Sequence, residues 1–252
     1  VKQEARFAFL PPVEFINEVV LLRKAAFALG DWLYSVLTKT SFINLDVLPK
    51  EGPFILALNH TSRVDFPILT KKEFRNDWTA LVADSYQKWP VVKQLFDRID
   101  LIWIDRTKAD FTAFKKAFSW LKEGKILAIS PEGTRSRNGC LIKAKPGIVL
   151  LAAKSGVPIC TGSVTGTENA IDELKHFRRP VINVRFSPPY MMNKIDPDRR
   201  EESLQEETDE LMCRIAAMLP EKNRGYYTDF PRVQELTKEW QNYPGLELPG
   251  NE

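Results

Sequence analysis

Phe54-Ile55-Leu56-Ala57-Leu58-Asn59-His60-Thr61-Ser62-Arg63-Val64-Asp65 is the stretch that decides how this chain is read. Its apolar opening is a short run without alternation, which fits a strand buried on both faces. The run stops at Asn59-His60, and His60 is one of only two histidines in 252 residues. Asp65 follows at a spacing that would not stack the two side chains on one helix face. A strand end, a turn and an aspartate in the next helical turn would let them meet. A carboxylate on one imidazole nitrogen fixes the tautomer and stabilises the imidazolium that forms when the other nitrogen takes a proton. The pair reads as a general-base dyad; the plainer alternative is a turn histidine with Asp65 as a helix cap.

Working outward, the alternation continues. Strands are expected at Thr79–Ala83, Leu101–Ile104, Ile126–Ile129, Pro158–Val164 and Val181–Phe186. Helices are expected over Val64–Phe74, Pro90–Phe96, a segment opened by a capping box at Thr107-Lys108-Ala109-Asp110 and closed by Gly124, Gly147–Lys154, and Arg199–Leu219. Short apolar runs alternating with helices imply an α/β fold, with a mostly parallel central sheet and flanking helices. Sites in such folds gather at strand ends. Three strands end in chemically pointed loops: Asn59-His60 through Asp65, Asp105-Arg106, and Ser130 through Arg137.

Composition narrows the function. At 44% hydrophobic and 27% charged the chain has ample core material, and a net charge of +3 is too weak to imply nucleic acid. Cys140, Cys160 and Cys213 are odd in number, widely spaced and free of any CxxC. That argues against a disulfide framework or a zinc site and for a reducing compartment. No metal-ligand cluster stands out, and no cofactor is expected. No secretory signal pattern is present in the sequence.

The segment Val13–Leu37, VEFINEVVLLRKAAFALGDWLYSVL, is interrupted by Glu18, Arg23, Lys24 and Asp31, which argues against a membrane-spanning helix. On a helical wheel Glu14, Asn17, Glu18, Lys24, Asp31 and Ser35 form a narrow polar stripe beside a wide apolar face. This predicts an amphipathic helix, or a pair divided at Gly30, lying in the headgroup layer. Trp32 and Tyr34 would then sit at the interface, with Arg23 and Lys24 near lipid phosphates. The alternative is a long helix packed on the domain's own core. The expected division is a membrane-associating segment over residues 1–40, an α/β domain over 41–220, and a polar tail over 221–252 draped on the surface.

No G-x-S-x-G occurs, so the proton removed by His60 is assigned to a substrate hydroxyl. Gly133 lets backbone approach a ligand. Arg135 and Arg137 present planar forks suited to phosphate oxygens, with Arg106, Lys143 and Lys145 as further cations. A local positive pocket on a nearly neutral chain favours a phosphate-bearing substrate; the alternative is a solvated basic loop with Glu132 paired to an arginine.

Asn59-His60-Thr61-Ser62-Arg63-Val64-Asp65 resembles the N-H-x-S-x-x-D motif of the lysophospholipid and glycerol-phosphate acyltransferase family. Pro131-Glu132-Gly133-Thr134-Arg135-Ser136, Ile104-Asp105-Arg106, and Val157-Pro158-Ile159 with Gly166-Thr167 are similar to that family's other blocks, in the family's order. The resemblance covers roughly residues 40 to 190. It implies transfer of a fatty acyl group from acyl-CoA or acyl-carrier protein to the hydroxyl of 1-acyl-glycerol-3-phosphate (lysophosphatidic acid), without metal or covalent intermediate. By position, His60 would be the base and Asp65 its orienting partner. Arg106 and Arg135 would hold the acceptor's phosphate, Glu132 would position the acceptor, and Lys145 would assist. Ser62, Gly133, Thr134 and Arg137 join the substrate-binding set. The family's usual membrane association implies a peripheral enzyme on the cytoplasmic face of a membrane. Departures fall at Asp100, Trp103 and Thr161, where the family commonly has Gly, Phe and Pro. Rival readings are a different lysophospholipid or glycolipid acceptor, a thioester hydrolase using Cys140 with His60, and a non-catalytic lipid-binding module.

Overall fold

The computed structural model describes residues 13–250, with side chains from Leu21 onward. In chain order the elements are α1 (Val13–Leu37), β1 (Lys39–Ile43), β2 (Phe54–Leu58), β3 (Trp78–Ala83), α2 (Pro90–Arg98), β4 (Ile102–Ile104), α3 (Phe111–Lys122), β5 (Ile126–Ile129), α4 (Gly147–Ser155), β6 (Ile159–Thr165), α5 (Ala170–Lys175), β7 (Val181–Phe186), α6 (Arg200–Ala217) and α7 (Pro231–Gln241). The sheet runs β1-β7-β6-β2-β5-β3-β4. Strands β6, β2, β5, β3 and β4 are mutually parallel. β7 is antiparallel to β6 and parallel to β1, so that edge pair runs the other way.

The unbroken apolar run of β2 follows from its central place. Alternate side chains enter two different cores. Ile55 and Ala57 join the core beneath α3, α4, α6 and α7, while Phe54, Leu56 and Leu58 join the one beneath α1. Because β2, β5 and β4 are parallel, their loops emerge on one rim.

Several expectations are corrected. The helix expected over Val64–Phe74 is a short 3-10 turn, Phe66–Thr70, with Pro67 in its first turn. The cap of α3 is Asp110 itself, whose carboxylate accepts from the Thr112 and Ala113 amides at 3.1 and 3.0 Å; Thr107 bonds Asp105 instead. The C-terminal residues do not merely drape. Tyr227, Val233, Leu236 and Trp240 are buried in the main core, and α7 packs on α6. The expected boundary at residue 41 falls inside β1, a strand not anticipated, as α5 and α7 were not.

Gly30 does not divide α1, which is one continuous helix. The glycine permits close packing instead: a Cβ there would lie 2.6 Å from Thr70 Oγ1. Of the four residues expected at the lipid surface, Trp32 and Lys24 are exposed, whereas Arg23 and Tyr34 turn inward. Arg23 is drawn inward, donating to the carbonyls of Ile99 and Trp78 at 2.5 and 2.6 Å and to Asp100 at 2.7 Å. Tyr34 is 5% exposed and donates to the Val64 carbonyl at 3.1 Å, so neither residue faces lipid. Asp31 pairs with Lys71 at 3.0 Å. Leu21, Leu29, Trp32, Leu33 and Val36 point outward and are exposed, and Lys24 is exposed. Glu14, Asn17 and Glu18 of the expected stripe lie outside the described side chains. Among the described residues no helix is long and apolar enough to cross a membrane.

Asp100, where the resemblance leads one to expect glycine, adopts a left-handed backbone, φ 59°, the region glycine favours. Aspartate tolerates this region better than most residues, and here its carboxylate anchors Arg23.

Candidate active site

His60 leaves the end of β2, and Asp65 immediately precedes the 3-10 turn. His60 Nδ1 lies 2.7 Å from Asp65 Oδ2, and both side chains are buried. The same oxygen accepts from the Thr61 and Ser62 amides at 2.8 and 2.9 Å. One carboxylate oxygen thus shapes the loop and orients the ring. With the carboxylate at Nδ1, the neutral ring carries its hydrogen there and leaves Nε2 free to accept a proton. Phe66 packs edge-on against the imidazole at 5.4 Å between ring centres.

The loop is tied down from every side. Asn59 behaves like an extra rung of the sheet, donating to the Val164 carbonyl at 2.9 Å and accepting from its amide at 2.6 Å. Thr61 and Thr167 share a hydroxyl hydrogen bond of 2.8 Å. Gly166, just before Thr167, has φ 87°, and a Cβ there would sit 2.0 Å from the Val181 carbonyl oxygen, so only glycine fits. The Ser136 amide donates to the His60 carbonyl at 2.8 Å.

Glu132 completes this seam. Its two oxygens accept the backbone amides of His60 and Ile142 at 2.9 and 3.1 Å, and the residue is 1% exposed. Burial pushes its pKa up to about 7; the two amides oppose the rise and the charge of Asp65 adds to it. The expectation that Glu132 touches the acceptor is therefore corrected, because both oxygens are spent on backbone inside the protein. Ser62 is corrected likewise: it is 6% exposed, and its hydroxyl accepts from the Val64 amide at 3.5 Å within the turn.

Two pockets adjoin the loop. One is mainly apolar, formed by Leu58, Leu69, Ala128 and Ile129 around His60, Asp65, Phe66 and Ser130. The other begins at Thr61 and is lined by Thr134, Arg135, Ser136 and Arg137, with about 500 Å³ of space including its open mouth. The catalytic candidate stands between an apolar cavity and a cationic one.

Arg106, after β4, stands outside both linings. Its pKa is depressed, first by partial burial and then by the charge of Arg135; Tyr86 and Asp84 oppose this. The two guanidiniums feel each other although β3 separates their strands. Two cations held within reach of each other favour an anion between them. The Lys145 side chain crosses Gly133, with Cδ 3.4 Å from where a Cβ would stand, and its amide donates to the Pro131 carbonyl at 2.9 Å. Gly133 has φ 67°, and this is what lets the chain turn beneath the lysine. Lys143 instead leans over Tyr226, 5.9 Å from the ring centre. Cys140 lines neither pocket; its thiol lies 3.2 Å from the Lys222 carbonyl. Burial pushes the Cys160 and Cys213 thiols up to about 12. Among the described residues no cluster is suited to hold a metal ion.

Sequence reasoning missed the roles of Asn59, Ile142 and Thr167. The polar Asn59 directly at the end of an apolar strand was the available signal for the first.

Residues 39–165 match the sequence model of the family described as Acyltransferase. The chain is 26% identical over 182 residues to a protein of Mycoplasma genitalium named probable 1-acyl-sn-glycerol-3-phosphate acyltransferase, covering 66% of this chain and 67% of that one. It is 37% identical over 128 residues to the 1-acyl-sn-glycerol-3-phosphate acyltransferase of Limnanthes douglasii, 47% and 46% of the two chains. The Escherichia coli protein of that name is 29% identical over 152 residues, 59% and 61%. The chain thus spans between about half and two thirds of these relatives. In fold it is similar to the crystal structure of the 1-acyl-sn-glycerophosphate acyltransferase PlsC from Thermotoga maritima. The TM-score is 0.60 at 22% identity, over 81% of this chain and 84% of that one.

Proposed function

From a chain that belongs to the acyltransferase family, we propose a specific reaction: transfer of a fatty acyl group from a thioester of coenzyme A or acyl-carrier protein to the free hydroxyl of 1-acyl-glycerol-3-phosphate, giving phosphatidic acid and the free thiol. The observation that carries this reading is the buried His60–Asp65 pair, 2.7 Å apart, at the junction of an apolar pocket and an arginine-lined one. An acyl thioester is an apolar chain ending in a polarised carbonyl, and a lysophosphatidate is a hydroxyl with a phosphate nearby. The two pockets match those two chemistries.

In this mechanism His60 Nε2 removes the acceptor hydroxyl's proton as the oxygen attacks the thioester carbonyl. Asp65 holds the ring and offsets the imidazolium charge. Arg135 and Arg137, with Arg106 and Lys145 beside them, grip the phosphate and fix the distance from it to the reacting hydroxyl. The exposed apolar face of α1, with Trp32 and Leu33, rests on the lipid surface from which both amphiphilic substrates come. The inward face of the same helix holds the Val64 carbonyl through Tyr34.

The test is an acceptor panel with one acyl thioester, presented in vesicles. Turnover should be fastest with 1-acyl-glycerol-3-phosphate and lower with acceptors whose phosphate is esterified or absent. Preference for an esterified lysophospholipid or a glycolipid would move the assignment to that acceptor, and no turnover on any would overturn it.

A further inference from the structure

Three polar atoms at the apolar pocket retain hydrogen-bonding capacity: Nε2 of His60, Oδ1 of Asp65 and Oγ of Ser130. The last two are buried and find no hydrogen-bond partner among the described residues. Asn59, the other polar side chain there, spends its carbonyl oxygen and one amide hydrogen on Val164. A buried hydroxyl without a partner costs stability, and folded proteins keep few of them. Ser130 joins the end of β5 to the Pro131–Gly133 turn, and its carbonyl accepts the Gly133 amide at 3.2 Å. The backbone is therefore fixed while the hydroxyl hydrogen is free to turn.

The three atoms differ in what they can do. An ionised Asp65 oxygen only accepts, and Nε2 of the neutral ring accepts. Ser130 alone can donate. Around it Leu58, Leu69, Ala128 and Ile129 are apolar. The ligand group that fits a single donor among apolar walls, beside a base, is one acceptor oxygen on an otherwise apolar body. An acyl thioester carries that oxygen on its carbonyl.

We propose that Ser130 is a catalytic residue whose hydroxyl donates to the thioester carbonyl oxygen and holds the oxyanion that develops there. The inference rests on the acyl-transfer reading above. The acceptor oxygen bonds to the carbonyl carbon, its proton passes to His60 Nε2, and the carbonyl electron pair moves onto the oxygen held by Ser130. The pair then returns, the carbon–sulfur bond breaks, and the proton on His60 passes to the departing thiolate. Ser130 gains and loses no proton. Shielding from water is where a donor to developing charge counts most.

The experiment compares the parent with Ser130→Ala and Ser130→Cys, the latter nearly isosteric but a weak donor. Each is assayed for kcat, for KM of both substrates and for Tm, with His60→Ala alongside. Ser130→Ala should lower kcat by about 10²- to 10³-fold, as loss of one oxyanion donor does. KM for the lysolipid should hold, and Tm should be unchanged or higher because an unpartnered hydroxyl is gone. Ser130→Cys should fall between. An unchanged kcat in Ser130→Ala, with an active parent, overturns this inference alone. So does a kcat loss that tracks a fall in Tm in both variants, which would make the hydroxyl structural. A parent that transfers no acyl group overturns the reading and this inference together.

Discussion

The loops that follow β2 and β5 leave adjacent strands on the same rim, yet they are finished in opposite ways. From Asn59 to Asp65 the groups that hold the loop in place are engaged, while His60 Nε2 and Asp65 Oδ1 stay open toward the pocket. Asp65 Oδ2 alone takes the ring nitrogen and two amides, and Asn59 is locked to Val164. The loop after β5 is half of each kind. Glu132 is sealed inside against His60 and Ile142, whereas Arg135 and Arg137 stand exposed and make no hydrogen bond or ion pair with a described side chain. The difference fits the two tasks proposed for the loops. A base must be held within a fraction of an ångström of its working position. A cation meant for a phosphate must not already be neutralised by the protein. The closed region should therefore respond to substitution in kcat and stability, and the open one in affinity alone.

The largest test of that division is His60→Ala. The main-chain ties at residue 60, to Glu132 and Ser136, do not involve the ring and should survive. Loss of a general base should lower kcat by roughly 10²- to 10⁴-fold, with KM for the acceptor nearly unchanged. A variant that keeps kcat but binds the acceptor poorly would assign His60 to recognition and erase the contrast.

Much of the closed region was legible because strand ends are readable. The run Phe54–Leu58, the polar stop at Asn59 and the spacing to Asp65 carried the geometry of the pair. What stayed hidden depends on contacts across long sequence separations. Nothing local tells that Glu132 points back at the residue-60 amide rather than out at a ligand, since an exposed and a buried glutamate read alike. Arg23 and Tyr34 were assigned to lipid for the same reason. A wheel shows which residues share a face, and tertiary packing decides which face turns in. The tail was misjudged because Tyr227, Val233, Leu236 and Trp240 are sparse among charged residues, although each reaches the core.

Glu132→Gln addresses the seam between the two loops. A carboxyl whose folded pKa stands near 7, against 4.5 ordinarily, favours its protonated form in the fold. Its contribution is fully present below about pH 4.5 and is lost as pH rises through about 7. At roughly 1.4 kcal/mol per pH unit, the whole effect is on the order of 3 kcal/mol. Parent Tm should fall between pH 5 and pH 8, and the glutamine variant should lack that component. The variant should also be less stable at pH 5, because its amide nitrogen cannot accept one of the two backbone hydrogens. Equal slopes in parent and variant would show that Glu132 titrates normally and that the seam is not closed.

Arg135→Ala probes the open region, and its effect should be the smallest and the cleanest. The side chain is exposed and has no hydrogen-bonded or ion-paired partner among the described residues, so Tm should not move. A charge-assisted hydrogen bond to phosphate contributes about 1.5–3 kcal/mol, so KM for 1-acyl-glycerol-3-phosphate should rise by roughly 10- to 150-fold with kcat little altered. The loss should shrink for an acceptor without a phosphate, since there is then nothing for the guanidinium to hold. Removing Arg135 also removes the like charge that depresses Arg106. Arg135→Lys should recover only part of the affinity, because a point charge replaces a planar fork. A fall in kcat equal to the rise in KM would mean that Arg135 acts on the transition state. The line drawn between fixed chemistry and open recognition would then have to run between Arg135 and Arg137.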